Sequence, residues 1–247
     1  MRSTKSRWLK AFSLLIVLLF SVAIFLCFHN VDTTITEEDG LYISKILSDY
    51  QAEQNLKESS SLFDDQIDTI LMIQKAALNT PPKSGLIDVR SPREPKDLYE
   101  AEAAYCGDRS RFMHKALRLY GFDVRYVTIM RDVKKQNKLQ TLLSKGGGDV
   151  RTHALVEVLT DKGWMVIDSR RQWISLTKDG APIGLEDIQK NGLNIHEWSD
   201  KSKQEPWFLL GEEFYIFYGL YSRHGLFYAP YTPYVPDINW EEFLENF

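Results

Sequence analysis

The chain has 247 residues, 44% hydrophobic and 26% charged, with 14 glycines and 9 prolines, a globular composition that excludes collagen-like, low-complexity and wholly disordered chains. Its formal net charge is −4, and Arg2, Lys5, Arg7 and Lys10 all precede an uncharged run, so the remainder is more acidic still. A body of that sign is poorly suited to holding a phosphate backbone, which disfavours nucleic acid as a partner, and the 2 cysteines, Cys27 and Cys106, cannot build a disulfide framework or a four-cysteine zinc site.

From Ala11 to Phe28 no residue is charged, and Leu, Ile, Val, Phe and Ala dominate. At about 1.5 Å of rise per residue such a helix nearly crosses a hydrocarbon core of about 30 Å. Trp8 stands at one end, where an indole suits a membrane interface. A cleaved signal peptide is the rival reading, but the run ends Phe25-Leu26-Cys27-Phe28 without a small-x-small site. The expectation is a single-pass transmembrane anchor over residues 11–28 behind a cytoplasmic basic tail over 1–10, with the rest of the chain extracytoplasmic. Cys27 then belongs to the anchor, as an apolar filler or, less favoured, a lipidation site.

Residues 29–62 are polar and are expected to form a stalk, within which Leu41, Tyr42, Ile43, Ile46 and Leu47 could make a short amphipathic helix. Asp64 or Asp65 can cap a helix carrying Ile67, Ile70, Leu71, Ile73 and Leu78, stopped by Asn79-Thr80-Pro81-Pro82. After a loop with Pro92 and Pro95, a helical stretch begins near Asp97. The segment from Cys106 to Tyr120 offers Phe112, Ala116, Leu117 and Leu119 as a buried face and ends at Gly121, a good C-cap. The period then changes. Val124–Ile129, Thr152–Leu159 and Trp164–Asp168 predict strands, the last two joined by Thr160-Asp161-Lys162-Gly163 as a hairpin turn. Helices followed by antiparallel strands make an α+β domain, placed over 63–195.

Residues 196–247 form an aromatic-rich C-terminal extension that includes Trp198, Trp207, Phe208, Phe214, Tyr215, Phe217 and Tyr218. The favoured reading is a cap packed on the domain through Leu209, Phe214 and Ile216. The other places some rings, with Arg223 and His224, along a cleft suited to sugar rings or peptide side chains. Pro230, Pro233 and Pro236 keep this part extended.

Cys106 carries the strongest chemical signal. It lies in Ala104-Tyr105-Cys106-Gly107-Asp108 at the predicted start of a helix, where unpaired N–H groups and the positive end of the dipole favour thiolate. Gly107 removes a side chain beside the sulfur. A thiolate needs a proton partner, and of the 5 histidines the best placed is His153, on the strand whose turn leads back to Asp168. One hairpin register sets His153 opposite Asp168 and another sets Leu155 opposite it. Both put the two side chains on one sheet face, because residues two apart share a face. The aspartate can then fix the imidazole tautomer while the other ring nitrogen faces the thiol. His114 is read as a packing residue. His196 and His224, with Glu197, Asp200 or Glu213, match no metal-ligand spacing, so neither metal nor other cofactor is expected. Lys145-Gly146-Gly147-Gly148 lacks the ending of a phosphate loop and is read as a loop beside His153.

Four segments together resemble the transglutaminase-like superfamily: Tyr105-Cys106-Gly107-Asp108 opening a helix, Leu117 to Val127 closing it into a strand, Thr152-His153-Ala154-Leu155-Val156-Glu157-Val158, and Gly163-Trp164-Met165-Val166-Ile167-Asp168. The resemblance implies a papain-like core in which a cysteine-bearing helix packs on an antiparallel sheet, with Cys106, His153 and Asp168 as catalytic residues and chemistry through a thioester. Relatives include proteases, amidases, deglycosylating enzymes and members without activity, so it does not imply cross-linking. An insertion from Lys134 to Val150 and the long tail after Asp168 depart from the pattern. The expected function is a membrane-anchored, extracytoplasmic thiol enzyme hydrolysing an amide or peptide bond in a peptide, protein or glycoconjugate. The alternatives are a catalytically unused domain that binds peptide or glycan, and an anchored assembly factor.

Overall fold

The computed structural model describes residues 2–28, 30–50, 62–87, 91–132, 134–144, 150–210, 213–222 and 237–247. The first helix, α1, spans Arg2–Phe28, and its apolar side chains, among them Phe12, Leu14, Leu18 and Phe20, are exposed. No helix among the described residues is long and apolar enough to cross a membrane. This overturns the expected anchor over 11–28, and the cytoplasmic-tail and extracytoplasmic placement falls with it. The side chain of Cys27 lies outside the described residues.

Residues expected to be a stalk belong instead to the folded body over 30–50. Helix α2 (Glu37–Asp49) opens on a capping box between Thr36 and Asp39, and its Ile43, Ile46 and Leu47 are fully buried. They pack with Ile67, Ile70 and Ile73 of helix α3 (Phe63–Asn79). Asp64 and Asp65 lie inside the first turn of α3, where they complement the dipole, and Leu62 occupies the cap position. A short helix α4 (Pro95–Glu100) follows, with proline at its start.

Helix α5 (Cys106–Leu119) is the centre of the molecule: every residue from Gly107 to Leu117 is buried. Phe112, Ala116 and Leu117 join the core, whereas Leu119 is 41% exposed. The helix ends as expected at Gly121, which sits at φ 84°, while the Phe122 N–H donates to the Leu117 carbonyl and the Gly121 N–H to that of Arg118. Strand β1 (Val124–Asp132), helix α6 (Lys138–Leu143) and strands β2 (Val150–Thr160) and β3 (Gly163–Asp168) follow. Gly163 supplies the positive φ of the tight β2–β3 turn.

The C-terminal residues are part of the domain. After helix α7 (Leu185–Asn191), strand β4 (Tyr215–Tyr218) pairs antiparallel with β1, so the sheet order is β3-β2-β1-β4. Leu209, Phe214 and Ile216 are buried against Val127, Ile129 and Leu155, and the tail completes the sheet as well as covering it. Strands β5 (Leu220–Ser222) and β6 (Asp237–Ile238) form a small second sheet. The Val31 N–H donates to the Ile238 carbonyl, tying the two ends of the body together. Arg223, His224, Pro230, Pro233, Pro236 and the Lys145–Gly148 segment lie outside the described residues.

Alternation along the strands divides the packing. Val156, Val158, Met165 and Ile167 face α3 and α5, while Leu155 and Val166 face Trp173, Leu185 and Phe208. The last helix, α8 (Trp240–Phe243), closes against the turn at Gly219. Gly219 has φ 63°, and a Cβ there would lie 2.6 Å from the Phe243 nitrogen and 2.7 Å from the Asn239 oxygen. Both are backbone atoms. Gly219→Ala should therefore lower stability by at least about 2 kcal/mol and Tm by roughly 4–8 °C. Gly40→Ala, inside α2 with nothing within 4 Å of the added Cβ, should be neutral or stabilising by about 0.5 kcal/mol. Thermal melts of the two variants check this pair of outcomes.

Candidate active site

Cys106 is the first residue of α5 and is half-buried. The N-terminus of this helix is fixed by Asp108, whose Oδ2 accepts the Tyr105 N–H at 2.8 Å. The other oxygen, Oδ1, accepts from Arg93 at 2.6 Å in a buried ion pair. Arg93 also donates to the Ile87 carbonyl, and its backbone stands in the left-handed region at φ 62°.

Strand register decides how His153 and Asp168 stand. The observed pairing sets Leu155 opposite Asp168, the second of the two registers open from sequence. His153 Nε2 lies 3.0 Å from Asp168 Oδ1, with both side chains buried. The same carboxylate oxygen accepts the backbone N–H of Arg170 at 2.7 Å and of Arg171 at 3.2 Å. By the two-residue period both groups share the sheet face of Leu155 and Val166. Accordingly the His153 ring lies 5.2 Å from that of Phe208 and 6.3 Å from that of Trp207.

The sulfur meets this pair at the edge of β2, where β3 has ended. There the His153 ring and the Ala154 N–H both act on the Cys106 thiol. The Ala154 carbonyl is taken by the Ser169 hydroxyl. Burial pushes the Cys106 thiol up, but the hydrogen bond and charge of His153, with the Ala154 amide, outweigh it and hold the thiol below its ordinary range. Burial pulls His153 down, yet the charge and hydrogen bond of Asp168, aided by Cys106, raise it to about 10. The arrangement favours a thiolate beside an imidazolium near neutral pH. Asp108 works against the thiolate, which is why its neutralisation by Arg93 matters.

Two supporting residues were missed from sequence. Gln74 of α3 is fully buried, and its Nε2 donates toward the carbonyls of Asp168 at 2.9 Å, Arg171 at 3.1 Å and Trp173 at 2.7 Å, clamping the chain as it leaves β3. A signal existed: Gln74 interrupts the apolar stripe Ile67, Ile70, Ala77, and a polar residue on a buried face is informative. Arg93 gave none, because its partner depends on the path of the loop.

The remaining expected residues lie elsewhere. His114 is buried 3.1 Å from Glu242 of α8. His196 packs on Trp198, and Glu197 pairs with Lys178. Of the tail's described rings, Trp207 and Phe208 contact His153, while Phe214 and Tyr215 line a separate cavity of about 960 Å³ with Gln189, Asn191, Asn194 and Glu213.

Residues 79–169, the segment that holds Cys106, His153 and Asp168, match the family model of the transglutaminase-like superfamily. No curated protein matches the chain. The match covers the end of α3 through β3 and stops just after Asp168.

The lowered thiol sets a pH signature. An ordinary cysteine with a pKa near 8.5 loses thiolate on the order of 10²-fold between pH 8 and pH 6. Cys106 in the full chain should lose clearly less than this in its rate of alkylation by iodoacetamide over that interval. Asp168→Asn, which removes the charge that raises His153, should move the inflection toward the ordinary thiol value. A wild-type rate that tracks free cysteine would rule out the ion pair.

Proposed function

We propose that this protein is a cysteine-dependent acyl-transfer enzyme that hydrolyses an amide or peptide bond through a thioester on Cys106. The observation that carries the reading is the buried His153–Asp168 pair, whose imidazole lowers the Cys106 thiol, within the matched segment.

The Cys106 thiolate attacks the substrate carbonyl carbon, forming a C–S bond and an oxyanion. The backbone N–H of Cys106, in the first turn of α5 and without an intrahelical acceptor, is one donor for that oxygen. As the tetrahedral intermediate collapses, the C–N bond breaks and the imidazolium gives its proton to the leaving amine. His153 uses Nδ1 for this exchange, because Nε2 is committed to Asp168. The neutral imidazole then takes a proton from water, and the resulting hydroxide adds to the thioester. Expulsion of the thiolate releases the carboxylic acid and restores the pair. Asp168 holds the ring orientation and stabilises the imidazolium. Water is the default acceptor in this reading, since no amine-delivering group is identified beside Cys106 among the described residues.

A thiol-directed acyl probe tests the assignment. Wild-type protein should be labelled at Cys106, and Cys106→Ala should lose the label entirely. Asp168→Asn should fold, as judged by circular dichroism, while single-turnover acylation falls on the order of 10²–10⁴-fold, whereas Asp161→Asn in the hairpin turn should be nearly silent. Persistent labelling of Cys106→Ala would sink the nucleophile, and wild-type acylation by Asp168→Asn would reduce the triad to a pair.

A further inference from the structure

Arg109 lies one helical turn beyond Cys106 on α5 and is only 4% exposed. Its guanidinium donates to the carbonyls of Pro81 at 2.8 Å and Lys83 at 3.3 Å, and its Nε is buried without a partner. Among the described residues no carboxylate pairs with it. A buried cation held by two neutral carbonyls is expensive unless an anion shares its surroundings. Burial lowers its pKa, and the groups whose charges act on it are Cys106, Asp108 and Arg170. Asp108 is already bound to Arg93, so the positive charge of Arg109 is left to act on the thiolate.

Arg170 adjoins that site just after the end of β3. Its N–H is fastened to Asp168 Oδ1, and its exposed guanidinium lies 5.6 Å over the ring of Trp207. Trp207 is 37% exposed and adjoins His153. A guanidinium laid on an indole keeps its planar fork of N–H donors free at the edge, the geometry that binds a carboxylate through two parallel hydrogen bonds. No carboxylate of the described residues occupies that fork.

We infer that Arg170 and Trp207, backed by the buried charge of Arg109, form a subsite for a carboxylate on the acyl side of the substrate. Arg170 touches the anion, Trp207 carries its hydrocarbon stem, and Arg109 supplies a favourable field from beneath. The preferred acyl donor is thus an acidic one, such as a glutamyl or aspartyl residue at the scissile carbonyl. The whole chain is net acidic, so its bulk charge opposes this preference, and the selection against cationic acyl groups falls on Arg170 and Arg109. This inference rests on the Cys106 thioester reading.

The test compares p-nitrophenyl esters of N-acetylglutamate, N-acetylglutamine and N-acetyllysine on the full chain, following the burst of p-nitrophenolate and the mass of acylated Cys106. Wild type should acylate about tenfold faster, at subsaturating ester, with glutamate than with glutamine, the size of one charge-assisted hydrogen bond. The preference should reside in ester binding, with the saturating acylation constants close together, and should shrink as salt is raised. Arg170→Met should bring the glutamate-to-glutamine ratio to about twofold, and Arg170→Glu should turn the preference toward the lysine ester. A ratio near one in wild type with a normal burst on the glutamine ester would overturn the subsite and leave the thioester reading standing, as would an unchanged ratio in Arg170→Met. Failure of all three esters to acylate Cys106 would overturn both.

Discussion

Burial of a polar helix is the constraint on which the rest of the molecule depends. The sequence of α5, Cys-Gly-Asp-Arg-Ser-Arg-Phe-Met-His-Lys, is that of a surface helix, yet the residues after its cysteine are buried. Each charge taken out of water must meet a partner or the fold loses several kcal/mol. Asp108 meets Arg93, and Lys115 meets Asp39 and Glu94 at 2.7 and 2.8 Å. Arg111 meets Glu94, while His114 and Tyr221 converge on Glu242. These partners come from α2, the segment that leads into α4, β5 and α8, elements far apart along the chain. The segments before and after the transglutaminase-like match therefore complete the helix that carries Cys106.

That wiring explains what could be read in advance and what could not. The hairpin from Thr152 to Asp168 was legible because its alternation, its turn residues and its two candidate catalytic groups all lie within one local unit. Its register was not, since both candidates satisfy the same facial rule. Tight closure at Thr160 and Gly163 decides it. The segment 37–49 hid its role behind polar residues: Asp39 looked solvated until Lys115, 76 residues away, came to lie against it. Strand β4 was hidden for a similar reason. Four residues, Tyr-Ile-Phe-Tyr, show no clean polar alternation, and only pairing with β1 reveals them as a sheet edge. The apolar run in α1 was judged by its span in the chain, but no helix among the described residues is long and apolar enough to cross a membrane.

The catalytic geometry follows from where β3 stops. Had β3 continued past Asp168 in register, it would have occupied the edge of β2 at Ala154. Instead the chain turns, held by Gln74 and by the N–H groups of Arg170 and Arg171 on the Asp168 carboxylate. The vacated Ala154 N–H helps to hold the Cys106 thiol low. One termination thus supports the thiolate, positions the aspartate, and opens a gap through which α5 can reach a histidine on the sheet face of Trp173 and Phe208.

Asp108 adds a tension that Arg93 resolves. Its carboxylate is needed to hold the Tyr105 N–H and so define where α5 begins, but a negative charge two residues from Cys106 opposes the thiolate. Replacing it with a neutral cap would remove the conflict at the cost of the buried partner of Arg93. The pair keeps both functions: Oδ2 caps the helix while Oδ1 is neutralised at 2.6 Å. The left-handed backbone of Arg93 is costly for a residue with a Cβ, by about 1–3 kcal/mol, and the ion pair and the Ile87 carbonyl hold it there. Strain in the loop is offset by charge compensation at the helix start, and both act at the position where the sulfur must remain ionised.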